Sequence, residues 1–198
     1  AGFITPSSGT VAIDGKNVTY AHPSKRGIGM VFQNYALFPS MNVRDNIEFG
    51  LKMAKLPKGE ISERATRAAR QVSLTDEQLG KQISELSGGQ QQLIRQAQAL
   101  ANDPELILAD EPLLSLDPAR QQATVDKLDA LRRERGTSIM FVTHGINPVL
   151  GVVDKVLYLA PNGHTFGTVD EVMRSEVLSE LYGTRVDVVE VDGRMVVL

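Results

Sequence analysis

Apolar residues recur every three or four positions from Asn42 onward: Val43, Ile47 and Leu51, then Ile61, Ala65, Ala68, Ala69 and Val72. That period predicts helices. Asn42 is placed to cap the first of them, and Thr75 and Gln78 have capping-box spacing ahead of a further short helix. Residues 42–86 therefore read as a small, mostly helical subdomain. The pattern then changes to three compact apolar runs, Leu106–Ala109, Ile139–Val142 and Val156–Leu159. Apolarity without alternation predicts strands buried on both faces, as in a parallel sheet. Between the first two runs, Arg120 to Arg135 carries Val125, Leu128 and Leu131 on one side, as a helix would. Strand–helix alternation implies right-handed crossovers and a layered α/β core. Upstream, Thr10 to Ile13 alternates like a half-buried strand before a turn at Asp14-Gly15, and Ile28 to Phe32 is a second short strand ending at Gln33. Near the other end, Val186–Val191 and Met195–Leu198 flank a turn at Asp192-Gly193. Three segments result: 1–41, 42–86 and 87–198.

Composition narrows the functional classes. The 198 residues are 42% apolar and 23% charged, enough for one substantial domain with a real core. The net charge of -3 gives no electrostatic case for nucleic acid as the main partner. The absence of cysteine rules out disulfides and thiolate metal sites and fits a reducing compartment. No apolar run approaches the roughly 20 residues that span a bilayer, so membrane attachment is expected to go through a partner. His22, His144 and His164 are scattered and have no ligand spacing.

Two motifs carry chemistry. In Leu86-Ser87-Gly88-Gly89-Gln90, Ser87 and Gln90 have capping-box spacing, and Leu93, Ile94, Ala97, Leu100 and Ala101 form the apolar face of the helix that follows. Two glycines at a helix start leave backbone N–H groups accessible to an anion, where the dipole also favours negative charge. A plain Gly-containing cap is the competing reading. In Leu106-Ile107-Leu108-Ala109-Asp110-Glu111-Pro112, a buried strand ends in two acids at the sheet edge where α/β proteins bind ligands. Asp110 suits a Mg²⁺ shell and Glu111 can polarise a water. An exposed acidic turn would look the same in isolation.

Taken in order, these motifs, then Ser115-Leu116-Asp117 and Phe141-Val142-Thr143-His144, resemble an ABC-type ATPase over essentially the whole chain, and Gln33 after Gly29-Met30-Val31-Phe32 matches that family's Q-loop. The resemblance implies a RecA-like P-loop NTPase core, a mostly parallel sheet flanked by helices, with a small helical subdomain. It implies ATP and Mg²⁺ as cofactors. Gln33 would touch Mg²⁺ and the attacking water and relay nucleotide state. Ser87, Gly88, Gly89 and Gln90 would meet the γ-phosphate of ATP held mainly by a second ATPase subunit. Asp110 would support Mg²⁺, Glu111 would act as general base, Asp117 would lie at the dimer seam, and His144 would contact the γ-phosphate. Transmembrane permease subunits would be the other partners, placing the chain in the cytoplasm on the inner face of the membrane.

The family also needs a G-x-x-x-x-G-K-[ST] loop upstream of the Q-loop, and residues 1–198 contain none. Truncation is the simplest account. Losing three charge-assisted phosphate contacts at roughly 1.5–3 kcal/mol each is worth about three to six decades of affinity. The chain by itself is thus expected neither to bind ATP tightly nor to hydrolyse it, and to fold marginally unless a partner fills the gap. A non-catalytic module that pairs with an intact subunit is the alternative. Residues 32–39 and 43–51 resemble importers of sugars and polyamines. Residues 144–150 and the tail through Leu178-Ser179-Glu180-Leu181-Tyr182-Gly183 resemble zinc or manganese importers, and the reading leans to metal uptake. Gly145 departs from the Asp that commonly follows the switch histidine. The two halves agree poorly, which a recombined sequence would also produce.

Overall fold

The computed structural model describes residues 1–32, 37–191 and 194–198. Gln33 and the Asp192-Gly193 turn lie outside the described residues. The chain forms two compact units, Ala1–Thr143 and His144–Leu198.

The first unit opens with a short antiparallel hairpin, β1 (Ala12–Ile13) and β2 (Lys16–Asn17). Asp14 and Gly15 turn it at φ 47° and 70°, so the strand expected from Thr10 contracts to two residues. There follow β3 (Ile28–Val31), α1 (Val43–Met53), α2 (Lys58–Gln71), α3 (Asp76–Leu79), α4 (Gly88–Ala101), β4 (Leu106–Asp110), α5 (Pro118–Arg135) and β5 (Ser138–Val142). The caps read from sequence form: Asn42 Oδ1 accepts from the Asp45 amide at 2.8 Å, and Thr75 and Gln78 close a reciprocal box. β3, β4 and β5 form a parallel sheet in that spatial order. Val43, Ile47 and Leu51 of α1, Ala65, Ala68 and Ala69 of α2, Ile94, Ala97 and Ala101 of α4, and Ile107 and Ala109 of β4 share one core. The alanines let α2 approach closely; larger side chains there would overpack the core.

Beyond that core, Asp103, at φ 49° in the turn after α4, receives the guanidinium groups of Arg64, Arg67 and Arg135. One carboxylate thus fastens α2 to the end of α5.

Burial on both faces holds only for part of the three apolar runs. In β4, Ile107 and Ala109 are buried and their neighbours half-buried. In β5, Met140 and Val142 are 57% and 55% exposed, and β5 has a ladder partner on one side only among the described residues. The third run departs further. β6 (Lys155–Ala160) pairs antiparallel with β7 (Gly163–Thr168) in the second unit rather than extending the parallel sheet, and Leu157 and Leu159 face outward. An antiparallel hairpin needs one face buried; here the outward positions happen to be apolar too, which hid the alternation.

The second unit continues with α6 (Val169–Val172), α7 (Ser175–Tyr182), and the hairpin β8 (Val188–Val191) and β9 (Arg194–Val197). Val156, Val172, Met173, Leu178 and Leu181 form its core. Ser175 and Ser179 hydroxyls accept from the Val188 and Val186 amides, each at 2.9 Å, and hold the tail against α7. Among the described residues no helix is long and apolar enough to cross a membrane.

Candidate functional site

The tip of α4 is built by a reciprocal cap. Ser87 Oγ accepts from the Gln90 amide at 3.3 Å, while Gln90 Oε1 accepts from the Ser87 amide at 2.9 Å. Gln91 Nε2 donates to the carbonyls of Ile83 and Leu86, pinning the approach segment. Ser87 and Gly88 are exposed and Gly89 is buried. The first-turn amides of Gly88 and Gly89 have no intrahelical carbonyl to bond. Gly89 is glycine for a steric reason: a Cβ there would lie 3.3 Å from the Ser115 carbonyl oxygen, 3.4 Å from Arg120 Nη1 and 3.5 Å from Leu116 Cδ2. The tip therefore presses on the turn that follows β4 while its outer edge stays open to solvent.

That turn starts at the acid pair. Asp110 is the last residue of β4, in register with Val142 of β5, so both acids sit at the carboxyl edge of the parallel sheet. The Glu111 amide continues the ladder to the Val142 carbonyl at 2.9 Å. Glu111 is 8% exposed and held at φ 48°, a left-handed conformation costly for a side chain with Cβ. Its carboxylate accepts from Thr143 Oγ1 at 3.4 Å. Downstream, Ser115 also takes a left-handed φ of 65°. Gln96 Nε2 of α4 donates to the Pro112 carbonyl at 3.1 Å, and Gln121 Nε2 of α5 reaches the carbonyls of Leu113 and Leu116. Asp117 caps α5 by accepting from the Arg120 amide at 3.0 Å, and its other oxygen pairs with the Arg120 guanidinium at 3.3 Å.

Of the residues singled out in sequence, Ser87, Gly88, Gly89, Gln90, Asp110, Glu111 and Asp117 are thus gathered on two adjoining features of the first unit, the α4 tip and the 110–117 turn. His144 opens the second unit, and Gln33 lies outside the described residues. Among the described residues no cluster of three or more His, Cys, Asp or Glu could hold a metal by itself. Mg²⁺ does not require one, because it takes one or two carboxylates and draws its remaining oxygens from water and phosphates. Asp110 at the sheet edge fits that demand.

Two kinds of residue escaped sequence reasoning. The glutamines Gln96 and Gln121 hold the turn by bonds to main-chain carbonyls, and no spacing rule marks them. Asn46 is fully buried in α1 and bonds the loop before it: Oδ1 accepts from the Phe38 amide, and Nδ2 donates to the carbonyls of Phe38, Met41 and Asn42. An asparagine on the apolar stripe of a helix was its only signal.

Residues 1–114 match the family model for ABC transporters. The chain belongs to the ABC transporter family. Its fold agrees: the ATP-binding cassette MJ0796, solved as a dimer in a post-hydrolysis state with ADP and Pi, superposes with a TM-score of 0.72 at 31% identity over 79% of this chain and 71% of that one. An inward-facing ABC transporter described as metal-chelate type gives a TM-score of 0.74 at 28% identity, covering 86% of this chain and 70% of that chain. Among curated relatives, the spermidine/putrescine import ATP-binding protein PotA of Bacteroides fragilis is 40% identical over 160 residues, 81% of this chain and 34% of its own length. PotA of Thermobifida fusca is 44% identical over 156 residues, 79% of this chain and 40% of its own length. The ABC family chain therefore spans well under half the length of these curated relatives.

Proposed function

We propose that this chain is the ATP-binding portion of a solute importer, working in a pair of ATPase subunits beneath a membrane permease. The observation that carries the reading is the α4 tip, open at Ser87 and Gly88, seated on the turn that begins with Asp110 and Glu111 at the carboxyl edge of the parallel sheet. In this reading Ser87, Gly88, Gly89 and Gln90 present N–H and hydroxyl donors to the γ-phosphate of ATP held by the opposite subunit. Asp110 holds Mg²⁺, which when bound offsets phosphate charge. Glu111 accepts a proton from the attacking water, and Asp117 lies at the seam between subunits. Gln33 is proposed to touch Mg²⁺ and the attacking water and to relay nucleotide state, and His144 to contact the γ-phosphate.

The helical subdomain, residues 42–86, is the proposed permease contact. Phe38 packs against Phe49 with ring centroids 4.4 Å apart and planes tilted by 43°, and Met53, one turn further along α1, is 68% exposed. This leaves an apolar strip beside the 38–42 loop. The chain would then sit in the cytoplasm, on the inner face of the membrane, through that contact. The polyamine importers among its relatives favour a small organic solute as cargo. The resemblance of the residues after His144 to zinc and manganese importers favours a metal ion, and the permease decides between them.

The test is ATP turnover by the assembled importer. Glu111→Gln should lower it by about 10²–10⁴-fold, the usual contribution of general-base catalysis, with nucleotide binding retained. Unchanged turnover overturns the reading.

A further inference from the structure

Thr143 is the residue of the Val142-Thr143-His144 run to which the reading above gives no task. β4 and β5 run parallel and in register, with Asp110 opposite Val142. The next residues on each strand, Glu111 and Thr143, therefore leave the sheet side by side. The Glu111 amide is tied to the Val142 carbonyl, its φ is a left-handed 48°, and the residue is 8% exposed. Backbone ties fix Cα and Cβ, but three side-chain torsions of a glutamate remain to be set. The Thr143 hydroxyl, 3.4 Å from Glu111 Oε2, is a side-chain donor that acts on them.

We infer that Thr143 is a positioning residue for Glu111: its hydroxyl holds one carboxylate oxygen and so fixes the carboxylate plane relative to the attacking water. The inference rests on Glu111 serving as general base. The hydroxyl matters and the methyl does not, so serine can replace threonine and the isosteric valine cannot. Thr143 touches neither water nor phosphate in this role. Its removal changes how often the base is aligned, a kcat effect, and leaves nucleotide affinity alone.

Two measurements test this. In the full chain labelled at glutamate carboxyl carbons, the Glu111 resonance is identified by its loss in Glu111→Gln. Thr143→Val should displace it, and Thr143→Ser should return it to the wild-type position. In the assembled importer, Thr143→Val should lower kcat about tenfold, equivalent to about 1.4 kcal/mol, with KM for ATP within about twofold. Thr143→Ser should keep more than half of the activity, and Thr143→Val should add nothing in the Glu111→Gln background. Thr143→Ala serves in place of valine should that variant fail to fold. Wild-type kcat and an unmoved resonance in Thr143→Val, or a serine variant as impaired as the valine one, overturns the inference while Glu111→Gln still stands as inactive. Full turnover by Glu111→Gln overturns the base assignment itself, and the positioning role with it.

Discussion

Asn46→Ala is the most informative single change for the helical subdomain. Asn46 is wholly buried and makes four side-chain hydrogen bonds, all to the backbone of residues 38–42. Not all four are lost in effect. The Asn42 carbonyl still accepts from the Asn46 amide at 3.0 Å, and the Phe38 carbonyl still accepts from the Met41 amide at 3.1 Å. Two groups are orphaned, the Phe38 N–H and the Met41 carbonyl. At about 1–3 kcal/mol each when buried, the loss spans about 2–6 kcal/mol. Phe38 and Met41 are only partly covered, so water can reach the freed groups and the lower half of that range, about 2–4 kcal/mol, is expected. Asn46→Asp keeps the acceptor for Phe38 but sets a carboxylate against three carbonyl oxygens, and should cost at least as much as alanine. Urea denaturation of wild type and both variants measures this through the midpoint at constant m-value. A loss below about 1 kcal/mol for alanine, or an aspartate variant as stable as wild type, refutes the reasoning.

The two glycines of the α4 tip should separate. Gly89→Ala puts a methyl 3.3 Å from the Ser115 carbonyl and should cost about 1–3 kcal/mol, while a Cβ at Gly88 meets nothing nearer than 3.9 Å and should leave stability within about 0.5 kcal/mol of wild type; equal denaturation midpoints for the two would contradict the packing described. In the second unit, burial and then the hydroxyl contact with Tyr182 push the Tyr158 phenol up to about 12. The folded state therefore favours the neutral phenol: its contribution is intact below the ordinary value of 10.0 and is lost as pH climbs from there towards about 12. A tyrosinate absorbance titration should show the Tyr158 phenol, assigned by its loss in Tyr158→Phe, titrating late, and brought only part of the way back by Tyr182→Phe because burial is the larger cause; a Tyr158 phenol titrating at its ordinary 10.0 would refute it.

Much of the first unit was legible because its signals are local. Caps at Asn42, Thr75 and Ser87, and the stripes of α1, α2 and α4, each depend on residues within one or two turns. The parallel pairing of β4 and β5 followed from two apolar runs separated by a helix, whereas β3 was marked only as a short strand and the third run pairs antiparallel. What local pattern could not supply was which face of a strand meets solvent. Met140, Val142, Leu157 and Leu159 are as apolar as Ile107, yet exposed, because burial depends on what packs against a strand rather than on the strand. The candidate site divides in the same way. Motif residues were marked by type and spacing, whereas the roles of Thr143, Gln96 and Gln121 rest on hydrogen bonds to partners 32, 16 and 8 residues away.

Those bonds hold the 110–117 turn between α4 and α5. It starts at the acid pair, runs through two left-handed residues, Glu111 and Ser115, and ends in the Asp117 cap. Gln96 and Gln121 pin its carbonyls from α4 and α5, and Ser115 lies against the Gly89 position. A close-packed contact of this kind yields little without repacking. In the proposed pairing, each chain offers its α4 tip to a triphosphate held opposite and its acid pair to the triphosphate it shares in holding. One rigid turn then joins the two, so a load on the tip is delivered to the segment that carries Glu111. The two sites of such a pair would be coupled through backbone geometry, with substitutions at Gly89 altering turnover at Glu111 of the same chain.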